Sequence, residues 1–145
     1  EEADRLAVIK AFQDGTLDCI VTDHAPHHAD DKNVEYDSAA FGISGIETSF
    51  ALSYTALVKS GALDLSALAR LMSGNPARIL GLEGGEIAVG RAADLTVADL
   101  NEAWTIDPAQ FVSKGKNTPF AGRKVFGKVK YTVVDGAIKY EEKQA

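Results

Sequence analysis

The fold is decided by the stretch Val21-Thr22-Asp23-His24-Ala25-Pro26-His27-His28, which continues an apolar run that begins at Cys19. Residues 19–22 are mostly apolar and β-branched, without polar alternation, which predicts a strand buried on both faces in a parallel sheet covered by helices. In such sheets, ligands and catalytic groups lie at the carboxyl ends of the strands. Asp23 is the first residue past that end, and Pro26 stops the strand because it has no N–H. The stretch therefore predicts a polar site at the end of a buried strand.

The acid and the histidines of this stretch predict a metal centre. All three histidines of the chain, His24, His27 and His28, lie within five positions. Carboxylate and imidazole groups are zinc ligands, and zinc makes water nucleophilic near neutral pH. Alternatively, Asp23 forms a turn or caps a helix, and the histidines lie in an ordinary loop. The motif alone leaves both interpretations open, and the clustering of the histidines favours chemistry.

Five motifs resemble the dihydroorotases of the amidohydrolase superfamily. Thr22-Asp23-His24-Ala25-Pro26-His27 resembles the motif of their eighth barrel strand, and a second specific match is Phe41-Gly42-Ile43-Ser44-Gly45-Ile46-Glu47-Thr48. Three further matches keep the family's order and extend the resemblance over nearly the whole chain: Asn75-Pro76-Ala77, Gly90-Arg91-Ala92-Ala93-Asp94-Leu95 and Asn117-Thr118-Pro119-Phe120-Ala121-Gly122. The related allantoinases and hydantoinases carry different residues after the Asp-His pair, so the first two motifs favour dihydroorotase.

The resemblance implies a zinc-dependent hydrolase that interconverts dihydroorotate and N-carbamoyl-aspartate in pyrimidine biosynthesis. An amide carbonyl is a poor electrophile, and a metal that polarises it is the expected device. By resemblance, Asp23 is both a metal ligand and the general base that passes a proton to the leaving nitrogen. His27 matches the residue that binds the substrate carboxylate, and the backbone of Phe41 and Gly42 matches backbone that contacts the substrate. We expect His24 to support the ligands through a hydrogen bond.

The implied fold class is α/β. The chain is expected to form the last part of a (β/α)8 metal-dependent hydrolase barrel, followed by strands of a small β-sandwich domain. Residues 1–82 are assigned to the end of the barrel and residues 83–145 to the sandwich segment. The remaining histidine, His28, has no role in the family and is expected at the surface.

The predicted secondary structure changes type near Gly84. Before it, apolar residues at three-to-four spacing and glycine stops predict helices at Asp4–Gln13, Ile46–Lys59, Ser66–Met72 and from Asn75, as N-cap, to Leu80. Residues 29–47 are predicted to form a long polar loop. After Gly84, short apolar runs predict strands at Glu86–Val89, Asp94–Ala98, Val125–Val134 and Ala137–Tyr140. Asp135-Gly136 predicts a hairpin turn, and Glu141–Ala145 a fraying tail.

Composition narrows the class of protein. Hydrophobic residues make up 46% of the 145 residues and charged residues 25%, as in globular proteins. No apolar run approaches the roughly 20 residues that span a bilayer, so no membrane partner is expected. One cysteine excludes an internal disulfide framework and fits the cytoplasm. The net charge of -6 argues against nucleic acid as the main partner.

The charge is unevenly distributed along the chain. Residues 1–72 contain twelve acids and five bases, whereas residues 108–134 contain six bases and no acid. The preferred interpretation is a strand edge protected by lysines. The alternative is a docking surface for an acidic partner or for another part of the same enzyme.

The resemblance also implies metal ligands that come before this region in the family. Glu1 lies inside a predicted helix, and neither His-x-His nor a lysine ligand occurs before Asp23. We therefore expect the C-terminal part of a dihydroorotase, inactive alone, whose partners are the substrate, the N-terminal part of the enzyme, a second copy and a pathway enzyme. Two alternatives stay open: an allantoinase or hydantoinase, and a metal-free scaffold that binds a pathway enzyme. An upstream His-x-His would favour the enzyme over the scaffold.

Overall fold

The computed structural model describes residues 1–142, which fold as an α/β chain with one small sheet. The helices are α1 (Glu2–Asp14), α2 (Ala29–Lys32), α3 (Ser49–Ser53), α4 (Leu65–Ala69) and α5 (Asn75–Leu80). Helix α3 continues as a π-helical turn at Tyr54–Val58 and α4 as another at Arg70–Gly74, and a 3-10 turn occupies Pro108–Gln110. The strands are β1 (Leu95–Thr105), β2 (Lys124–Val134) and β3 (Ala137–Glu141). Among residues 1–142, no helix has the length and apolar character needed to cross a membrane.

The sheet is antiparallel, with β2 between β1 and β3. The predicted hairpin turn is confirmed: Asp135 and Gly136 have φ values of 49° and 73°, as a tight two-residue turn requires. Asp94 supports this turn, because its carboxylate accepts the Asp135 N–H at 2.7 Å. The strands predicted at residues 94–98, 125–134 and 137–140 are therefore confirmed, and β1 runs further than expected.

The core joins the helices to the sheet. Val125 of β2 and Ile106, 0% and 1% exposed, pack with Ala51 of α3 and with Phe111. A second cluster groups the buried Tyr54, Leu57 and Leu68 with the partly buried Leu100 and Phe126. Burial of each large side chain contributes about 1.5–3 kcal/mol. The sheet thus packs against α3 and its π-helical continuation.

Helix α1 and the glycine stops are confirmed, but two helix starts differ from prediction. Gly15 and Gly81 end α1 and α5 in the left-handed conformation, at φ values of 80° and 65°. Helix α3 begins at Ser49 and not at Ile46. Asn75 is not an N-cap, because α4 continues through its π-helical turn into α5 and Asn75 is itself helical. Its side chain instead donates to the Asp18 carbonyl at 2.8 Å.

Two predicted strands are wrong. Residues 19–22 make no sheet pairing, and the Ile20 N–H donates to the Leu71 carbonyl at 2.9 Å. No described strand lies beside this segment, so its backbone bonds instead to a carbonyl of the π-helical turn at Arg70–Gly74. Residues 86–89 also form no strand; Ile87 is 89% exposed, and no strand of residues 1–142 pairs with them. Both runs have strand composition without a neighbouring strand.

Three smaller expectations are also corrected. The predicted polar loop at residues 29–47 contains the short helix α2. Glu141 belongs to β3, and the Glu142 carboxylate pairs with Lys128 and Lys130, so the first two residues of the predicted tail are anchored. The rest of that tail, residues 143–145, lies outside the described residues. The prediction of a strand edge protected by lysines is wrong for Lys128 and Lys130, because both lie on β2, which is the central strand of the sheet.

Candidate functional site

Asp23 has the least common backbone conformation in the candidate site. Its φ is 42°, a left-handed value that side-chain-bearing residues rarely adopt, although aspartate tolerates it better than most. Such conformations concentrate at functional sites, where the surrounding structure holds them. The residue is exposed, and its carboxylate makes no hydrogen bond to another residue of the described range 1–142. The carboxylate is therefore presented to solvent and accessible to a ligand.

His24 joins the Asp23 segment to the next one. Its Nδ1 accepts the backbone N–H groups of Gly45 at 3.1 Å and Ile46 at 3.3 Å. An isolated parallel bridge pairs His24 with Ile43, and the Ala25 N–H donates to the Ile43 carbonyl at 3.0 Å. The hydrogen bonds assign the proton of a neutral imidazole to Nε2. His24 therefore supports the neighbouring backbone, and its support of metal ligands stays a prediction.

His27, Phe41 and Gly42, which the resemblance assigns to the substrate, lie together. The Nε2 of His27 is 2.7 Å from the Phe41 carbonyl oxygen, so the ring donates through Nε2 and its Nδ1 is left for another partner. Gly42 has φ 133°, and a Cβ there would lie 2.5 Å from the Ala25 carbonyl oxygen and 3.1 Å from His27 Nε2. Only glycine fits so closely against the Asp23 segment.

The backbone of residues 40–43 is held through its carbonyl oxygens. Lys32 Nζ donates to the carbonyls of Ala40 and Gly42, at 2.5 and 3.2 Å, and Asn117 Nδ2 lies 3.4 Å from the Gly42 oxygen. By contrast, the N–H groups of Phe41 and Gly42 meet no acceptor within the part of the chain that the structure describes. Two adjacent donors are thus left open beside His27.

A segment from the sheet region completes the site, and the sequence did not predict this contact. The Ser44 N–H donates to the Asn117 carbonyl at 2.8 Å, and the buried Ser44 hydroxyl donates to the Gly115 carbonyl. A Cβ on Gly115 would lie 2.6 Å from the Pro26 Cβ, so this backbone touches the Asp23 segment directly. The available signal was the motif that begins at Asn117, one of the five matches with the resembled family.

Glu47 fixes the same segment from the opposite side. Its two carboxylate oxygens accept the N–H groups of Val112 at 2.8 Å and Ser113 at 3.0 Å. Lys116 Nζ donates to the Phe111 carbonyl within the segment. The glutamate of the second family motif is therefore an anchor for residues 111–117, a role that its position in the sequence does not reveal.

An open cavity of about 590 Å³ lies between the Asp23 segment and residues 114–117. Its lining is basic and contains no carboxylate: Pro26, His27, His28, Ala29, Lys32, Asn33, Lys114, Gly115, Lys116 and Asn117. His28 is exposed, as predicted, and its Nδ1 accepts the Asp30 N–H at 3.3 Å at the start of α2. The positive charge of these side chains suits an anionic molecule.

The described residues provide one side chain suited to bind a metal ion, and they do not provide a complete metal site. Within residues 1–142, no group of three or more His, Cys, Asp or Glu side chains could hold a metal ion. The Asp23 carboxylate has its oxygens available, whereas one ring nitrogen of His24 and one of His27 hold backbone groups. Asp23 therefore fits the chemistry of a metal ligand, and a catalytic zinc takes about three protein ligands.

Sequence comparison relates the chain to a family of hydrolases. A profile described as the amidohydrolase family matches residues 1–139. The dihydroorotase of Caldanaerobacter subterraneus is 51% identical over 136 residues, which are 94% of this chain and 31% of that protein. The dihydroorotase of Desulforapulum autotrophicum is 55% identical over 140 residues, 97% of this chain and 32% of that protein. The chain thus spans about a third of the length of these relatives.

Similar folds occur in solved structures of hydantoinases. The L-hydantoinase (dihydropyrimidinase) of Arthrobacter aurescens superposes with a TM-score of 0.89 at 31% identity, over 96% of this chain and 32% of that one. The D-hydantoinase of a Thermus species gives a TM-score of 0.87 at 29% identity, over 95% of this chain and 31% of that one. Most of the fold of this chain therefore also occurs within these longer hydantoinase chains.

Proposed function

The chain belongs to the amidohydrolase family, and from this premise we propose that it forms the C-terminal part of a dihydroorotase. The proposed reaction is the reversible hydrolysis of the cyclic amide of dihydroorotate to N-carbamoyl-aspartate, in pyrimidine biosynthesis. The observation that carries the proposal is the grouping of the exposed Asp23 carboxylate with His27 and the open N–H groups of Phe41 and Gly42. The identities near 50% with dihydroorotases support it.

Asp23 is the proposed general base. In the hydrolytic direction its carboxylate takes a proton from the attacking water and delivers it to the ring nitrogen as the carbon–nitrogen bond of the amide breaks. The oxygen of that water becomes part of the new carboxylate of N-carbamoyl-aspartate, and the second proton of the water is released to solvent as this carboxyl group ionises. General base catalysis of this kind typically contributes 10²–10⁴-fold. The backbone at φ 42° directs the side chain to the exposed face where the substrate is proposed to bind.

His27, Phe41 and Gly42 are the proposed substrate-binding residues. With Nε2 on the Phe41 carbonyl, His27 offers Nδ1 towards the substrate carboxylate. A protonated ring donates from both nitrogens, so it serves both contacts at once. The open N–H groups of Phe41 and Gly42 suit the carbonyl or carboxylate oxygens of the same molecule.

Zinc is the proposed cofactor, and Asp23 is the residue of this chain that would hold it. When bound, such a metal polarises the amide carbonyl and lowers the pKa of water. Its other ligands are proposed to come from residues that precede those of this chain in the complete enzyme. This arrangement makes the 145-residue chain inactive alone.

The same proposal covers architecture and partners. Residues 1–82 would form the end of a (β/α)8 barrel and residues 83–145 part of a small β-sandwich. The exposed segment at residues 86–89 and the outer strand β3 would pair with strands from the N-terminal part of the enzyme. We further propose a cytoplasmic homo-oligomer, with a pathway enzyme as an additional partner.

The proposal is tested in a chimera. The chain replaces the matching 136-residue part of the Caldanaerobacter dihydroorotase, and the zinc-loaded product is assayed on dihydroorotate, allantoin and hydantoin. We expect turnover of dihydroorotate within about tenfold of the unmodified relative, and at least about a hundredfold preference over the other two substrates. A preference for hydantoin or allantoin would replace dihydroorotase by the related activity. A folded, zinc-loaded chimera inactive on all three would favour the scaffold.

A further inference from the structure

Four successive carbonyl groups in the substrate-binding backbone are held from outside. Lys32 holds the carbonyls of Ala40 and Gly42, His27 that of Phe41, and the Ala25 N–H that of Ile43. All four contacts come from residues within about ten positions of Asp23 along the chain. Residues 40–43 are thus held through all four of their oxygens and through the Ala40 N–H, which donates to the Asp31 carbonyl at 3.0 Å. The N–H groups of Phe41 and Gly42 are left open within the described residues.

Holding a carbonyl also aims the next N–H. A trans peptide is planar, and its C=O and N–H point in opposite directions; residues 1–142 contain no cis peptide bond. When Lys32 draws in the Ala40 carbonyl, the N–H of Phe41 must point away from Lys32. In the same way, the contact of His27 with the Phe41 carbonyl directs the N–H of Gly42 away from the imidazole. The directions of the two open donors therefore depend on these two cationic or donor side chains.

Lys32 is well suited to this work. It lies at the last position of α2, its side chain is half-buried, and no carboxylate lies within 4.0 Å of its ammonium group in the described part of the chain. Its identified hydrogen-bond partners are therefore the two carbonyl oxygens, to which a charged donor binds more strongly than a neutral one. Asn117 adds a weaker contact to one of them, at 3.4 Å from the Gly42 oxygen.

We propose that Lys32 is a positioning residue: through the Ala40 carbonyl it orients the Phe41 N–H for the anionic substrate, and through the Gly42 carbonyl it holds in place the residue whose N–H His27 directs. This inference rests on the proposed dihydroorotase function and adds to it a residue that touches no reacting atom. Lys32 would act on substrate binding through the backbone and would leave the proton transfer at Asp23 unchanged. Asn117 assists it at the Gly42 carbonyl.

The first test is kinetic and uses the chimera. We expect Lys32→Met to raise KM for dihydroorotate about tenfold, with kcat within about threefold and zinc content unchanged. Lys32→Arg, which keeps a charged donor, should recover most of the loss, and Asn117→Ala should raise KM by about threefold. The matched control is Lys114→Met, which removes a charge from the same cavity where no hydrogen bond to the backbone is present among the described residues. It should raise KM by less than Lys32→Met does, because it removes charge from the cavity but no contact with the backbone.

Two kinetic outcomes overturn the proposal. An unchanged KM in Lys32→Met would show that the ammonium does not position the donors. An equal rise in Lys114→Met would show that the general charge of the cavity acts, and not the contacts with Ala40 and Gly42.

The second test separates this inference from the proposed function. In the isotopically labelled 145-residue chain, Lys32→Met should shift the amide resonances of Phe41 and Gly42, Lys32→Arg should shift them less, and Lys114→Met should leave them in place. If the parent chimera fails to hydrolyse dihydroorotate, the proposed function falls, while these resonances still decide whether Lys32 orients the backbone. If these resonances do not move in Lys32→Met, Lys32 does not orient this backbone, whether or not the chimera is active.

Discussion

The sheet and the Asp23 segment satisfy their backbones in opposite ways. Strands β1 and β2 pair along most of their length in one antiparallel ladder, interrupted by two irregularities. Residues 17–28 make a single bridge to another segment, and their neighbours are held by side chains and loop backbone. The sheet's geometry therefore comes from its own strands. The geometry of the candidate site depends also on residues 111–117, which are distant in the sequence. Substitutions in those contacts should therefore affect the site more than the sheet.

The largest effect is expected at the exposed end of the Asp23 segment. Asp23→Asn keeps the shape of the side chain but would remove the proposed base and weaken the proposed metal contact. In the chimera, kcat should fall by about 10²–10⁴-fold, with the circular dichroism spectrum unchanged. A rate near that of the parent would show that Asp23 is not the general base. The Asp23 segment would then have no demonstrated role in the reaction.

The contact between Gly115 and Pro26 should be the most sensitive to added volume. Gly115→Ala places a Cβ 2.6 Å from the Pro26 Cβ and 3.1 Å from the His27 nitrogen. Overpacking of this kind costs about 1–3 kcal/mol of unfolding free energy, which urea denaturation of the chain measures. The matched control is Gly74→Ala. Gly74 lies in a helical turn, and its Cβ would have an ordinary 3.5 Å contact with the Gly85 carbonyl oxygen. Equal effects of the two substitutions would argue against a tight junction at the site.

The anchor at Glu47 should give a smaller loss. Glu47→Gln keeps one carbonyl oxygen, so one of the contacts to the Val112 and Ser113 N–H groups survives. We expect a loss of about 1 kcal/mol in unfolding free energy, together with faster amide hydrogen exchange at Val112 and Ser113. Exchange that accelerates equally throughout β2 would show that the anchor serves the sheet and not the segment.

The smallest effect is expected from the ion pairs of the sheet. Lys130, through its hydrogen bonds, holds the pKa of the Glu142 carboxyl below its usual value of 4.5, and Glu102 and Glu142 raise the pKa of the Lys130 ammonium. A lowered carboxyl pKa adds stability that is present above pH 4.5 and is lost as the pH falls towards the lower, folded-state pKa. Glu142→Gln should lower Tm by at most about 3 °C at pH 7, because half-exposed pairs contribute little.

The pH dependence provides the control for that last prediction. The difference in Tm between the parent and Glu142→Gln should shrink as the pH falls from 4.5 towards the lowered pKa of Glu142, because the parent's carboxylate then takes up a proton. A difference that stays constant from pH 7 to pH 3 would contradict an origin in the charge of Glu142.

The sequence predicted features with local causes, such as the hairpin of the sheet, better than features that depend on distant contacts, such as those around the Asp23 segment. Helix α1 and the hairpin at Asp135-Gly136 depend on local spacing and turn chemistry, so both were predictable. The grouping of His27, Phe41 and Gly42 followed from a motif resemblance. The strands at residues 19–22 and 86–89 were wrong, because composition shows strand preference but cannot supply a neighbouring strand.

The residues that hold the site were not predictable one by one. Lys32 and Glu47 look like solvated charges in the sequence, and their roles depend on carbonyl and N–H groups that only the fold brings near. The π-helical turns at Tyr54–Val58 and Arg70–Gly74 keep the apolar spacing of ordinary helices, so no pattern distinguishes them.

The return of residues 111–117 to the Asp23 side has a kinetic consequence. Its contacts with residues 42–47 join positions 65 to 75 apart, whereas the β2–β3 hairpin closes over a two-residue turn. Loop closure over long distances slows folding, and hairpins form within about 1–10 μs. We therefore expect refolding to produce the sheet first and the backbone around Gly42 last, so that competence to bind the substrate lags behind the return of the circular dichroism signal.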